Sequence, residues 1–189
     1  PSGMRLDCGT KAFSLPNGTL LASTFDRPLM TELFTFMGLE MHTNQVDCLL
    51  GPGMNIHRHP LNGRNFEYFS EDPILAGKLA AGYIRGIQSR GIAACPKHFA
   101  ANSQETLRMA SDSVVDERTF REVYLTNYEI AVKEGKPKFI MSSYNKINGT
   151  YANEDKTLLS DILRDEWGFE GAVVTDWGGS NDHVEGVRA

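Results

Sequence analysis

The stretch Glu170-Gly171-Ala172-Val173-Val174-Thr175-Asp176-Trp177-Gly178-Gly179 decides how the fold is read. Ala172 to Val174 is a short apolar run bounded by turn residues, which reads as a buried strand. It ends on a carboxylate, an indole and two glycines. Two readings are open here. Asp before Gly-Gly is ordinary turn chemistry. A carboxylate at the C-terminal end of a strand is also where barrel folds place catalytic groups. The choice depends on whether the rest of the chain builds more strands of this kind.

Upstream, Asp155 to Trp167 predicts a helix with Leu158, Leu159, Ile162 and Leu163 as its apolar face, stopped by Gly168. Phe139 to Met141 is a strand leading to Ser142-Ser143-Tyr144-Asn145, and Asn148-Gly149 is a turn. A helix from about Asp116 to Glu134 carries Phe120, Val123, Tyr124, Tyr128 and Val132 on one side. Before it come a strand, Ile92 to Cys95, the segment Lys97-His98-Phe99, and a polar loop from Asn102 to Ser113 with Glu105 and Arg108. Asp72-Pro73 opens a helix as N-cap and first helical residue, and Gly91 ends it.

Further upstream, Met54 to Asp72 is a long polar and aromatic loop holding Arg58, Arg64, Glu67 and Tyr68, and loops of this length inside a domain are usually functional. Val46 to Leu50 is a strand closed by Gly51-Pro52-Gly53, and Asp26 to His42 is helical, with Pro28 in its first turn. Residues 1 to 23 read as loop, with Pro16-Asn17-Gly18 as a turn.

Strand, helix, strand, helix implies a parallel sheet covered by helices. The units exceed the ~30 residues of a minimal βαβ motif, and the surplus follows each strand, where an α/β barrel puts its active-site loops. A doubly wound sheet would place a Gly-rich phosphate turn and a helix after an early strand. Gly51-Pro52-Gly53 is followed by a loop instead. The fold predicted is therefore α/β, a partial (β/α)8 TIM-type barrel, with residues 1–189 as a single domain.

Composition removes other classes. The 189 residues carry 19 basic and 24 acidic side chains, a net charge of −5, which argues against a nucleic-acid partner. No apolar run approaches a membrane span, and no signal peptide is present. Cys8, Cys48 and Cys95 are odd in number, far apart and without a CxxC pair. Cys48 and Cys95 sit in apolar strand-like runs and read as buried free thiols, which favours a reducing compartment such as the cytoplasm while leaving localisation unknown. The chain starts Pro1-Ser2-Gly3 and stops at Gly186-Val187-Arg188-Ala189 without a closed element, as expected for part of a longer product.

Successive strand ends deliver Arg64 with Glu67, then Lys97-His98, Tyr144 and Asp176-Trp177, and the loop after the second adds Arg108. Cations make charge-assisted bonds to hydroxyls, and an aromatic face covers the C–H face of a ring, so the set suits a polyhydroxylated ligand. Each residue alone has a plainer explanation: a surface ion pair for Arg64, a strand-end carboxylate partner for Lys97, a satisfied core histidine for His98, packing for Tyr144. Their recurrence at strand ends favours a site. His57-x-His59 has a metal-ligand spacing, with Lys97, His98 and Asp176 as further candidates, and leaves a metal-dependent amidohydrolase barrel as an alternative, but Pro60 places the pair in a loop.

The chain resembles glycoside hydrolase family 3, β-glucosidase type. The resemblance rests on Gly51-Pro52-Gly53-Met54-Asn55-Ile56, Gly63-Arg64-Asn65-Phe66-Glu67-Tyr68-Phe69-Ser70-Glu71-Asp72-Pro73, and Lys97-His98-Phe99-Ala100-Ala101-Asn102 with Glu105 and Arg108. It continues through Met141-Ser142-Ser143-Tyr144-Asn145 with Asn148-Gly149, and through Leu163-Arg164, Trp167-Gly168-Phe169 and Thr175-Asp176-Trp177. Five blocks in order span essentially the whole chain. Thr175 stands where the family more often has Ser.

The resemblance implies the incomplete N-terminal catalytic barrel of a larger multidomain glycosidase. It implies a retaining mechanism on terminal β-D-glucosyl residues, with Asp176 as nucleophile. Arg64, Lys97, His98, Arg108, Met141 and Tyr144 would line the sugar subsite, and Trp177 its mouth. It implies no metal and no organic cofactor. The family's Asp before a Gly-Pro-x-Gly loop would lie just ahead of Pro1, and the general acid/base, a Glu, in a later C-terminal domain of the parent chain. Other readings are a β-xylosidase of the same family and a non-catalytic sugar-binding fragment. Family N-acetylglucosaminidases carry Lys-His-Phe-Pro-Gly-His-Gly, which the Lys97 block does not match.

Overall fold

A computed structural model describes residues 12–189. Cys8 and the Pro1-Ser2-Gly3 start lie outside the described residues. The strands are β1 (Cys48–Leu49), β2 (Ala93–Ala94), β3 (Lys97–Phe99), β4 (Asp112–Ser113), β5 (Phe139–Ser142), β6 (Lys146–Ile147), β7 (Thr150–Tyr151) and β8 (Ala172–Thr175). β1 pairs with β2 in parallel, and β3, β5 and β8 form a second parallel sheet in that order. The two are continuous through the backbone. Pro96 splits one extended segment into β2 and β3, since it has no N–H to give. On either side of it, Cys95 N donates to Gly51 O (2.9 Å), and Lys97 N donates to Pro52 O (2.9 Å).

Neighbours in this sheet are neighbours in sequence and all are parallel, so the reversal that marks a doubly wound sheet is not found among these strands. Nor do the described strands close into a barrel: β8 pairs with β5 alone. That corrects the reading of Ala172 to Val174 as a buried strand. Val173 and Val174 are half-buried, while Ala172 and Thr175 are exposed, because one side of the strand has no covering neighbour among the described residues.

The helices form where the caps predict. α1 (Gly18–Ala22) starts at Asn17, whose side chain accepts from Leu20 N at 2.9 Å, so Pro16-Asn17-Gly18 begins a helix and is not a free turn. α2 (Arg27–Thr43) is capped by Asp26, which accepts from Leu29 N (2.9 Å). α3 (Pro73–Gln88) is capped by Asp72, which accepts from Ile74 N (2.7 Å) and Leu75 N (3.1 Å). Glycine lets α2 and α3 touch along their backbones: a Cβ at Gly86 would lie 2.5 Å from Thr31 O. Phe34 and Tyr83 stack across the same crossing with ring centroids 3.7 Å apart.

The helix over 117–135 packs on α3 and widens into π-turns at Phe120–Leu125 and Ala131–Gly135. Thr157–Glu166, the helix before β8, is also wound as a π-helix and buries Leu158, Leu159, Ile162 and Leu163, the face its pattern predicts. The main core lies between the sheet and these helices and includes Leu79, Ile84, Tyr128, Ile140 and Trp167. Cys95 is buried and Cys48 only half-buried, and both are free thiols. Burial, with minor contributions from neighbouring charges, pushes the Cys95 thiol up to about 12.

One small sheet is absent from the sequence reading. β4 runs parallel to β6, and β6 turns back into β7. The turn is Asn148-Gly149, with φ of 48° and 94°, the left-handed pair that a two-residue hairpin of right twist requires. Asn148 also exchanges hydrogen bonds with Val115 through N–H to Oδ1 and Nδ2 to O, both 2.9 Å. The loop after β3 is thereby tied to the loop after β5.

Candidate active site

The proposed residues converge at the carboxyl ends of β3, β5 and β8. Lys97, Met141 and Val174 are in register across these strands, so their side chains share one face of the sheet. Met141 is buried yet lies outside the main apolar cluster that holds its neighbour Ile140. Lys97 Nζ is 3.2 Å from Glu67 Oε1.

Glu67 belongs to a short 3₁₀ turn, Asn65–Glu67, in the loop after β1. Arg64 precedes the turn and clamps Glu67 with two bonds, Nε to Oε2 (2.8 Å) and Nη2 to Oε1 (2.9 Å). The turn is braced from below by α1, where Thr19 Oγ1 donates to Asn65 O (2.9 Å) and Tyr68 O (3.1 Å). Burial by itself would raise the Glu67 carboxyl, but Lys97 and Arg64 outweigh it and hold the group below the usual carboxylate range.

His98 is buried and held on all sides. Its backbone is pinned by the Asn55 side-chain amide, with His98 N donating to Oδ1 (2.8 Å) and Nδ2 donating to His98 O (2.9 Å). The ring lies between Tyr68 Oη, 3.2 Å from Nδ1, and Arg64 Nη1, 3.1 Å from Nε2. A guanidinium only donates, so Nε2 accepts and the ring proton sits on Nδ1, directed at the Tyr68 hydroxyl oxygen. Burial, then the charges of Arg64, Lys97 and Arg108, hold His98 well below its ordinary range, and the imidazole is neutral.

Asp176 follows β8, its side chain 15% exposed. Its Oδ1 accepts from Trp177 N (2.9 Å), and its Oδ2 lies 3.5 Å from His98 Nε2. With His98 neutral and Nε2 unprotonated, this approach is neither an ion pair nor a hydrogen bond. Tyr144 closes the side: its hydroxyl donates to Trp177 O (2.6 Å). Burial, followed by the charge of Asp176, keeps the phenol above its ordinary range. Arg108 stacks on the Tyr144 ring, 4.8 Å to its centroid, and is fixed by Glu105 Oε2 at 2.8 Å. The Trp177 indole stands 65% exposed at the rim.

The structure thus brings Arg64, Lys97, His98, Arg108, Tyr144, Asp176 and Trp177 into one connected cluster, with Met141 on the same sheet face as Lys97. His57 and His59 are used elsewhere: His57 Nε2 bonds Asn65 O (2.9 Å), and His59 Nδ1 accepts from Leu61 N (3.1 Å), both bracing the loop. Among the described residues, no three His, Cys, Asp or Glu side chains gather closely enough to hold a metal ion. Sequence reasoning set Glu67 beside Arg64 at a strand end but gave it no role, and left Tyr68, Asn55 and Glu105 out of the site. The i,i+3 spacings of Arg64 with Glu67 and Glu105 with Arg108 were visible signals for two of them. Asn55 and Tyr68 act through contacts of 43 and 30 residues' separation that no local pattern carries.

The fold is thus an α/β domain whose parallel strand ends gather three cations, a neutral histidine and carboxylates in one cluster. The chain belongs to glycosyl hydrolase family 3: the family model described as the Glycosyl hydrolase family 3 N terminal domain matches residues 3–187. It is 60% identical over 177 residues to a beta-glucosidase of Ruminococcus albus, covering 94% of this chain and 19% of that protein. It is 51% identical over 178 residues to thermostable beta-glucosidase B of Acetivibrio thermocellus, covering 94% and 24%. Among solved structures, beta-glucosidase 3B from Thermotoga neapolitana in complex with glucose superposes with a TM-score of 0.96 at 47% identity, covering 99% of this chain and 27% of that one. The chain therefore spans about a fifth to a quarter of the length of these curated relatives.

Proposed function

We propose that these residues form the nucleophile-bearing arc of a (β/α)8 barrel in a larger, retaining β-glucosidase. The substrate is a β-glucoside or oligosaccharide with a terminal non-reducing β-D-glucosyl residue. The observation that carries the reading is Asp176 itself. It is a strand-end carboxylate with one oxygen held by a backbone N–H and the other 3.5 Å from the neutral His98, while Arg64 and Lys97 pair with Glu67. The high identity to beta-glucosidases favours the glucosyl reading over a β-xylosidase, and the loop-bracing roles of His57 and His59 weigh against the amidohydrolase alternative.

In this mechanism Asp176 Oδ2 attacks the anomeric carbon as the bond to the leaving oxygen breaks, giving a glycosyl-enzyme ester. A carboxyl about 5 Å from the nucleophile then activates water to release glucose, having first protonated the leaving oxygen. That second group is proposed to come from the C-terminal domain of the parent chain. Nearby candidates are engaged or misplaced: Glu67 is locked by Arg64 and Lys97, Glu105 by Arg108, Glu166 by Arg121 and Glu185 by Arg188. Glu170 precedes β8, at the opposite end of the strand from Asp176. Lys97 retains N–H groups beyond its bond to Glu67, and Arg64 Nη1 carries a second N–H beyond the one given to His98, so both have donors for sugar hydroxyls. The exposed Trp177 face is placed to stack the aglycone. The test is mechanism-based labelling of the full-length protein with a 2-fluoro glucoside followed by peptide mass mapping. A label on Asp176 is expected, and a label on another carboxylate overturns the assignment.

A further inference from the structure

Glu67 takes no part in bond making under the reading above, yet two cations from different elements converge on it. Arg64 holds it with two bonds, and Lys97 reaches it from β3. Its side chain is only 11% exposed. Space for it is reserved by Gly53, where a Cβ would lie 2.7 Å from Glu67 Cγ. The cluster holds two other carboxylates, Glu105, which is paired with Arg108, and Asp176. Among the described residues the ion pairs of Arg64 and Lys97 run to Glu67, and neither reaches Asp176.

Several charged and titratable groups surround Asp176. They are Cys95 from the segment before β3, His98 and Lys97 from β3, Arg64, Glu67 and Tyr68 from the loop after β1, Arg108 with Glu105 from the loop after β3, and Tyr144 from the segment after β5. Remove the negative charge at 67, and two buried cations lose their shared partner, with Asp176 and the Arg108-bound Glu105 as the carboxylates left in the cluster. A lysine or arginine bonded to Asp176 Oδ2 would occupy the lone pair that attacks, and would no longer offer its donors to a sugar.

We propose that Glu67 is a positioning residue that holds Arg64 and Lys97 off Asp176, so that Oδ2 stays free to attack and both cations keep N–H groups for hydroxyls. The inference rests on Asp176 being the nucleophile. The test is Glu67→Gln in the full-length protein, assayed on an aryl β-glucoside across pH, with thermal unfolding measured alongside. The expected result is a folded variant with KM raised and kcat/KM reduced about tenfold or more, the scale of one charge-assisted bond. The acid limb of kcat/KM should move to lower pH, because losing an anion beside Asp176 favours its charged form. Glu67→Asp keeps the charge at a shorter reach, and should recover part of the loss with the limb in its wild-type place. That variant carries the test if the neutral one does not fold, and an acid limb moved from its wild-type place would then overturn the proposal. Unchanged kcat/KM in folded Glu67→Gln also overturns it, as does a loss of activity with an unmoved limb, which would mark a structural role only. Asp176→Ala run in parallel separates the two levels: wild-type turnover there would overturn the nucleophile reading, and this inference with it, whatever Glu67→Gln does.

Discussion

His98 Nε2 stands 3.5 Å from Asp176 Oδ2, and the two are not an ion pair. The imidazole is neutral, because burial and three nearby cations disfavour its proton. Its Nε2 is already the acceptor for Arg64. Asp176 is therefore not paired with this neighbour, and the ion pairs of Arg64 and Lys97 run to Glu67 instead. The nucleophile role proposed for Asp176 needs this condition, an attacking oxygen that no cation holds in an ion pair.

Asp176→Ala in the full-length protein should lower turnover of an aryl β-glucoside by several orders of magnitude while leaving the melting temperature nearly unchanged. The carboxylate accepts from the adjacent Trp177 N–H and interacts with the Tyr144 hydroxyl, and it makes no ion pair with Arg64 or Lys97. Steady-state kinetics and thermal unfolding on the same preparation check both halves. Retained turnover would exclude Asp176 as nucleophile.

Lys97→Met keeps the length of the side chain and removes its charge. Loss of one charge-assisted bond to a sugar hydroxyl should cost about 1.5–3 kcal/mol. In kcat/KM that is roughly a 10- to 150-fold fall, and more if the bond strengthens in the transition state. An unchanged kcat/KM would place Lys97 outside the sugar subsite.

The 189 residues by themselves are expected not to hydrolyse cellobiose, since an alcohol leaving group needs a positioned proton donor. A dinitrophenyl glucoside needs no proton and should still glycosylate Asp176, with slow release that azide accelerates. Mass spectrometry of the intact chain follows the ester. Ready hydrolysis of cellobiose would show that the acid/base lies within this chain.

His98 should make the fold sensitive to mild acid. Its folded-state proton affinity is depressed below the ordinary value of 6.5, so below that pH the unfolded chain takes up a proton that the native state refuses. Stability is then constant above about pH 6.5 and falls as pH drops below it, by at most about 1.4 kcal/mol per pH unit from this one group. Denaturant unfolding between about pH 5 and pH 7 should show a shallower slope in His98→Gln than in wild type. Equal slopes would mean that His98 is protonated in the native state.

Much of the fold was legible because its signals are local. Asp26 and Asp72 cap helices through bonds to N–H groups three residues away or less, so a short pattern suffices to place them. The apolar face of the helix before β8 and the stop at Gly168, with its positive φ, are read from periodicity and one glycine. The strand ends that carry Lys97, Tyr144 and Asp176 follow from where the apolar runs stop. The β4–β6–β7 sheet escaped notice because its strands are two residues each, too short for any alternation to show. Only the Asn148-Gly149 pair marked its hairpin.

By itself the sequence determined which chemical groups stand at the carboxyl ends of the strands, and in what order, since strand ends are set by short-range pattern and side-chain type. Tertiary structure alone decided their states. That His98 is neutral with its proton on Nδ1 depends on Tyr68 and Arg64 approaching from another loop. That Lys97 and Arg64 share Glu67 and leave Asp176 unpaired depends on Gly53 making room and on α1 bracing the turn. That β8 is half-exposed depends on how many strands pair with it, which its own residues do not encode. Burial and charge act through space with no regard to separation along the chain, so protonation and pairing are properties of the assembled neighbourhood.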